Sequence, residues 1–380
     1  MRRIRSGWRG GRQSVSVWRH GGAGVCLRLA RLALIAGLVG GCAAPDGALN
    51  LTGAAAPQEE PVATAPQILV RTRLDPKTTV AAREVFIRTV TASPVASLLN
   101  RGPAGLKPLG TVELVMDATP AEFQTALAAT GFSPGASAFY LPRGSAAGLP
   151  RIELAWVRTG GQAPEALLAH EAVHRLLRER VDRVFAARAG LPPELEALPV
   201  CTPFWLNEGL ATCMEGLLVR RSRPPPVWDP AAVQPNWPRY GELRGLFRAQ
   251  REGGLVALAL ARPNHQDLPS GNYALAWGLT YDLAVMGDPG RRAALDRYIE
   301  LCRNGFYPES QAGKFRAEFL DADGKFTTEA CRRWNERIAR LGAAEFAALF
   351  AGAGGLDAWE TAWRERLKDR SRVIAAGQPR

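Results

Sequence analysis

An α+β fold, with a small mixed sheet early in the chain and a mostly helical half after it, is predicted by three observations. Short alternating apolar–polar segments bounded by Gly and Pro are confined to residues 68–159. Helical spacing of apolar residues takes over from residue 164. A stretch with six prolines, 222–238, interrupts the helical half as an irregular wall or lid.

Each element follows from its own residues. ILVRTRL (68–74) alternates as a strand, and 79–99 carries apolar positions at helical spacing. TVELVMD (111–117) is a second strand, followed by a helix that Pro120 initiates and Gly131 stops. SAFYLP (137–142) and RIELAWVRT (151–159) are further strands with Gly/Pro turn chemistry between them. Pro164 suits a first helical position and Gly190 with Pro192 and Pro193 marks a stop, which gives one helix of about 25 residues. Residues 206–219 form the next helix, with Thr202-Pro203 as cap and first position. Helices are also expected at 240–252, 272–286, 290–304, 327–341 and 343–368, and no internal repeat is present.

The chain has 380 residues, enough for two ordinary domains or one large one. It is 47% hydrophobic and 22% charged, which excludes wholesale disorder and a multi-span membrane protein. The net charge of +12 is concentrated at the start: residues 1–41 hold eight Arg and no acid, leaving 40 bases against 36 acids beyond them. Without a basic run interleaved with aromatics, nucleic acid is not an expected partner.

Residues 32–41 (LALIAGLVGG) are too short an apolar run to span a bilayer, and Arg28 and Arg31 precede them. Basic flank, apolar core and small residues read as a signal peptide over 1–42. Val39-Gly40-Gly41-Cys42 resembles a bacterial lipobox, which implies export, a lipid on Cys42 and attachment to the membrane on the periplasmic side or at the outer membrane, Ala43 favouring the latter. The Arg-rich stretch before Arg28 is unusual for a leader, and a start at Val15, Val17 or Val25 would remove much of it. A short buried helix with an incidental Cys42 is the alternative. Residues 43–67, rich in Ala, Pro and Gly, form a flexible tether. The remaining chain divides into an N-terminal subdomain (68–200), a helical C-terminal subdomain (201–370) and a tail (371–380). Cys201, Cys213, Cys302 and Cys331 include no CxxC; outside the cytoplasm the local pairs Cys201–Cys213 and Cys302–Cys331 are the simplest of three connectivities.

Chemistry concentrates at Leu168-Ala169-His170-Glu171-Ala172-Val173-His174. His at i and i+4 leave one helix face a turn apart, so both imidazoles can grip one ion, and Glu171 stands where it can reach a water on that ion. This is the HExxH pattern of zinc metallopeptidases, in which Zn²⁺ lowers the pKa of water and the Glu deprotonates it. Two histidines on a solvated face would be the bland alternative, but two of the three His after the leader stand at this spacing in an apolar segment.

A zinc site of this kind needs a third protein ligand, and a carboxylate from a second helix is one solution. Trp205-Leu206-Asn207-Glu208-Gly209-Leu210-Ala211 resembles the Asn-Glu-Gly motif of gluzincins, with 33 residues between His174 and Glu208. The resemblance implies that Glu208 completes the zinc site with His170 and His174, and Gly209 beside it would let these two helices approach closely. The order of short strands, HExxH helix, WLNEGLA helix, a Tyr-led helix and a terminal GLDAWETAWRERL is similar to the peptidase MA-like family of exported bacterial proteins over roughly 68–370. That similarity implies a zincin-like α+β fold.

Two roles remain. Tyr273, opening YALAWGLTYDL, resembles in position the Tyr that follows the zinc site in aminopeptidase-type gluzincins and is the expected oxyanion donor, with Tyr281 and His265 behind it. RIELAWVRT stands where the edge strand of zincins does, to which a peptide could pair; a fully covered strand is the alternative. Thr212 and Glu215 share a helix face with Glu208, where either could orient an imidazole. No Gly-rich phosphate loop and no nucleophile elbow is present, and Cys201 lacks the His of a thiol enzyme. The expected function is an exported zinc metallopeptidase acting on peptides or proteins. A non-catalytic zinc-binding envelope lipoprotein and a zinc hydrolase of a non-peptide amide are the alternatives.

Overall fold

Ile68–Thr72 (β1), Val112–Asp117 (β2), Ala138–Leu141 (β3) and Arg151–Ala155 (β4) form one sheet in the order β1–β2–β4–β3. β1, β2 and β4 run parallel, and β3 returns antiparallel along β4. The computed structural model describes residues 66–101, 109–130, 137–143, 148–157, 163–192, 199–217, 235–264 and 270–376. The leader with Cys42, nearly all of the tether, the proline-rich stretch to residue 234 and His265 lie outside the described residues.

The sheet corrects one expectation. β4, the core of RIELAWVRT, is not an edge: β2 and β3 pair with it on either side, so its backbone groups are already engaged. β3 is the edge strand at this end. Alternation sends Val112, Leu114, Met116, Ile152 and Leu154 to one buried face. The opposite face carries Arg71, Glu113, Arg151 and Glu153, with Arg71 Nε 2.6 Å from Glu113 Oε1 and Arg151 paired to Glu153.

Caps define the early helices. Asp75 accepts from Thr78 N–H at 3.0 Å and starts Pro76–Ala92 (α1). The single helix expected over 79–99 is broken at Ser93, whose extended backbone precedes Pro94 and whose hydroxyl caps Pro94–Leu99 (α2). A Thr119–Glu122 capping box starts Pro120–Ala128 (α3), which covers Phe139 and Ala155 on the sheet's charged face. Pro164–Leu177 (α4), a π-helical turn at Arg178–Asp182 and Arg183–Arg188 (α5) together make the long helix expected from 164. Buried Asp182 accepts from Cys201 N–H at 2.8 Å, tying that turn to the segment leading into Phe204–Leu217 (α6).

Trp237–Ala249 (α7), Leu255–Leu260 (α8), Ser270–Thr280 (α9), Pro289–Arg303 (α10), Lys314–Phe319 (α11), Thr328–Phe346 (α12) and Gly355–Ala376 (α13) complete the chain. α8 and α11 were not expected, since six residues are too few to display a helical period. α13 runs to Ala376, into the expected tail. α4 packs on α1, β3, β4 and α6, and α6 packs in turn on α9, so one core joins the sheet to the helical half. All described residues belong to one compact unit, 61–380. Among them no helix is long and apolar enough to cross a membrane.

The expected disulfides are absent: Cys201, Cys213, Cys302 and Cys331 are all free. Cys201 stands ahead of α6, with its N–H held by Asp182, and Cys213 lies within that helix. Cys331 instead accepts a weak hydrogen bond from Asn335 one turn on.

Candidate metal centre

Two helices build the site. α4 carries His170, Glu171 and His174 on a face turned toward α6, which carries Asn207, Glu208 and Glu215. The approach of α6 to its other neighbour is unusually close. A Cβ at Gly209 would lie 2.0 Å from Thr280 Oγ1 and 2.5 Å from Ala276 O, so the glycine expected to bring α6 close to the HExxH helix instead lets α6 close on α9.

The imidazoles are held by their outer nitrogens. His170 Nδ1 is 2.7 Å from Glu215 Oε1, and His174 Nδ1 is 3.1 Å from Asn207 Oδ1. A carboxylate and an amide oxygen only accept, so each Nδ1 carries a proton and each Nε2 faces inward. Those two Nε2 atoms are 3.1 Å apart. Glu208 brings Oε2 to 3.4 Å from His170 Nε2 and Oε1 to 3.7 Å from His174 Nε2. Two ring nitrogens and a carboxylate thus converge on one point.

The spacing fits a metal. Zinc–nitrogen and zinc–oxygen bonds of about 2.0–2.1 Å place tetrahedral ligands about 3.3 Å apart. The three observed separations bracket that edge, and the candidate ligand atoms all lie within 4.8 Å of one another. His170, His174 and Glu208 therefore form a group able to hold a metal ion. Their side chains are 12–16% exposed, shielded but reachable.

Electrostatics follow the same geometry. Burial disfavours charge on His170, yet its hydrogen bonds to Glu208 and Glu215 prevail and raise its pKa well above the ordinary value. Burial also works against ionised Glu208, but His174 and His170 outweigh it and hold that carboxyl below its usual range. Glu171 shows the opposite balance: burial pushes its pKa up although both histidines pull it down. Its carboxylate makes no hydrogen bond among the described residues, which leaves both oxygens available to a water or a leaving group.

Tyr273, at the start of α9, stands beside these carboxylates. Its ring packs edge-on against Phe204 at 5.6 Å, with the Arg239 guanidinium 5.4 Å from its centroid. Burial raises its pKa, and the charge of Glu208 adds to that, so its hydroxyl keeps its proton. Tyr281 is fully buried and stacked on Trp277 in the core. Of the two candidates for orienting an imidazole, Glu215 does so and Thr212 does not, because its hydroxyl bonds back to Glu208 O at 2.7 Å on its own helix. Asn207 and Arg239 were not assigned roles from the sequence. Asn207 adjoins Glu208 in the quoted motif, whereas no local pattern marks an arginine on α7.

In comparison with known proteins, the chain matches no family model, and no curated protein matches it.

Proposed function

We propose that this protein is an exported, lipid-anchored zinc metallopeptidase of the gluzincin type, with a zincin-like fold. One observation carries the reading: two imidazole Nε2 atoms and a carboxylate converge on one point, with the outer nitrogens of both rings already occupied. His170, His174 and Glu208 would hold Zn²⁺. Bound there, zinc supplies Lewis acidity and a lowered pKa for water at its open position.

This chain's residues supply the rest. Glu171, kept basic enough by burial to accept a proton and free of other hydrogen bonds, takes the proton of the attacking water. It then delivers that proton to the departing amine as the C–N bond breaks. Tyr273, protonated across the physiological range, donates its hydroxyl hydrogen to the developing oxyanion. Glu215 and Asn207 hold the imidazole planes, so the ligand nitrogens need not reorient during turnover.

The test compares Glu171→Gln and Glu208→Ala with the parent for zinc content and for cleavage of a mixed peptide library. Glu171→Gln retains zinc and loses turnover, whereas Glu208→Ala loses zinc as well. Full activity in Glu171→Gln would remove the base, and a folded parent that holds no zinc would remove the reading altogether.

A further inference from the structure

The second oxygen of Glu215 has a partner of its own. Asn236, 6% exposed, donates from Nδ2 to Glu215 Oε2 at 3.0 Å and to Thr212 O at 3.3 Å. Its Oδ1 accepts from Arg239 N–H at 3.4 Å, which makes it the N-cap of α7. One buried amide therefore spends its donors on α6 and its acceptor on α7. The amide orientation is dictated by the network, since only Nδ2 can donate to a carboxylate and a carbonyl while only Oδ1 can accept from an N–H.

We infer that Asn236 is a positioning residue of the metal centre, acting through Glu215 on His170. A carboxylate held at one oxygen only is free to rotate about its last torsion, and its hydrogen bond to an imidazole then wanders. Here Oε1 is on His170 Nδ1 at 2.7 Å and Oε2 is on Asn236, so both ends of the carboxylate are fixed and the ring plane with them. Arg239 reinforces the outer oxygen, with Nε 3.9 Å from Oε2, close enough to attract but too long for a hydrogen bond. The first turn of α7 is thus a clamp on the group that aims a metal ligand, and the chain Asn236–Glu215–His170 links the entry of α7 to the ion. Losing a hydrogen-bonding partner behind a metal-bound His typically costs about 10–100-fold in metal affinity, and a partner one step further back falls at the lower end.

The inference rests on the zinc reading above, and the experiment separates their failures. Asn236→Ser keeps a good helix cap but is too short to reach Glu215. Asn236→Asp keeps both cap and shape but sets an acceptor against a carboxylate. The dissociation constant for Zn²⁺ alone is measured by competition with a chromophoric chelator for the parent, both variants, Glu215→Ala and the Glu215→Ala/Asn236→Ser double variant, alongside thermal unfolding of each metal-free protein. The expected result is about tenfold weaker zinc binding in Asn236→Ser and at least as much in Asn236→Asp, with melting temperatures close to the parent. In the Glu215→Ala background Asn236→Ser weakens zinc by less than twofold, because the route to the ion has already been cut. Parental zinc affinity in either folded single variant overturns the inference, as does an equal loss in both backgrounds, which would mark Asn236 as a cap alone. A parent that binds no zinc overturns the zinc reading and this inference together.

Discussion

Gly209→Ala places the added methyl where α6 meets α9. Its Cβ would lie 2.0 Å from Thr280 Oγ1, 2.9 Å from Thr280 Cβ and 2.5 Å from Ala276 O. The side chain can rotate away at the cost of its hydrogen bond to Trp205 O, but the carbonyl belongs to the backbone of α9 and cannot. Ordinary contact lies near 3.4 Å, so α6 must retreat from α9 by roughly 1 Å, in a region where Trp205, Leu206, Leu210, Ala276 and Leu279 are all buried. Overpacking of this kind typically costs about 1–3 kcal/mol, and a backbone obstacle puts it at the upper end. The assay is urea denaturation of the metal-free protein, read as a shift in midpoint at constant slope. Thr280→Ala removes the closest of the three contacts, that with Oγ1, and leaves those with Cβ and Ala276 O, so the double variant is more stable than the sum of the single losses by less than about 1 kcal/mol. Glu208 adjoins the glycine, and zinc affinity falls with the retreat by about tenfold. A Gly209→Ala variant within about 0.5 kcal/mol of the parent would refute the reasoning.

Three further predictions follow from the site and its surroundings. Tyr273→Phe lowers kcat by about 10²–10³-fold while leaving zinc affinity unchanged, as for loss of one oxyanion donor; unaltered kcat would release Tyr273 from that role. Burial, with the Asp117 carboxylate beside it, pushes Glu153 up from 4.5 to about 7. The folded state then binds more protons than the unfolded one between those values, so stability is lost as pH rises through that window, by about 1–3 kcal/mol. Glu153→Gln flattens that slope in urea midpoints taken from pH 4.5 to 8, and an unchanged slope would reject the assignment. Maleimide labelling of the unreduced protein reacts with Cys331 first and reaches Cys201, Cys213 and Cys302 only on denaturation, because the last three are buried thiols; a disulfide among these four in an unreduced digest would contradict the fold.

The fold was legible where the signal is local. Strand alternation, Pro120 and Pro164 at first helical positions and the stop at Gly190 all correspond to elements at nearly the expected residues. What escaped depends on partners distant in the chain. Whether 151–155 is an edge is decided by 138–141 returning antiparallel beside it, and strand alternation reads the same for an inner or an outer strand. Cysteine spacing indicated pairs, whereas Cys201, Cys213, Cys302 and Cys331 are all free in the fold. The Ser93 break shows the reverse failing, since Ser-Pro was visible locally but outvoted by a continuous apolar period.

The same distinction orders the site. His170, His174 and Glu208 stand on two helices whose facing sides helical spacing already implies, and Glu215, seven residues after Glu208, returns to the same face two turns on. One helix, α6, thus supplies the third candidate ligand and both groups that orient the imidazoles, so the centre reduces to the placement of α6 against α4. That placement is not written in either motif. It is set by Asp182 on the π-helical turn accepting from Cys201 just ahead of α6, by Gly209 closing on α9, and by Asn236 joining α6 to α7. Metal affinity in this chain should therefore respond to residues well outside the two motifs, and the variants at Gly209 and Asn236 probe two of these three fastenings separately.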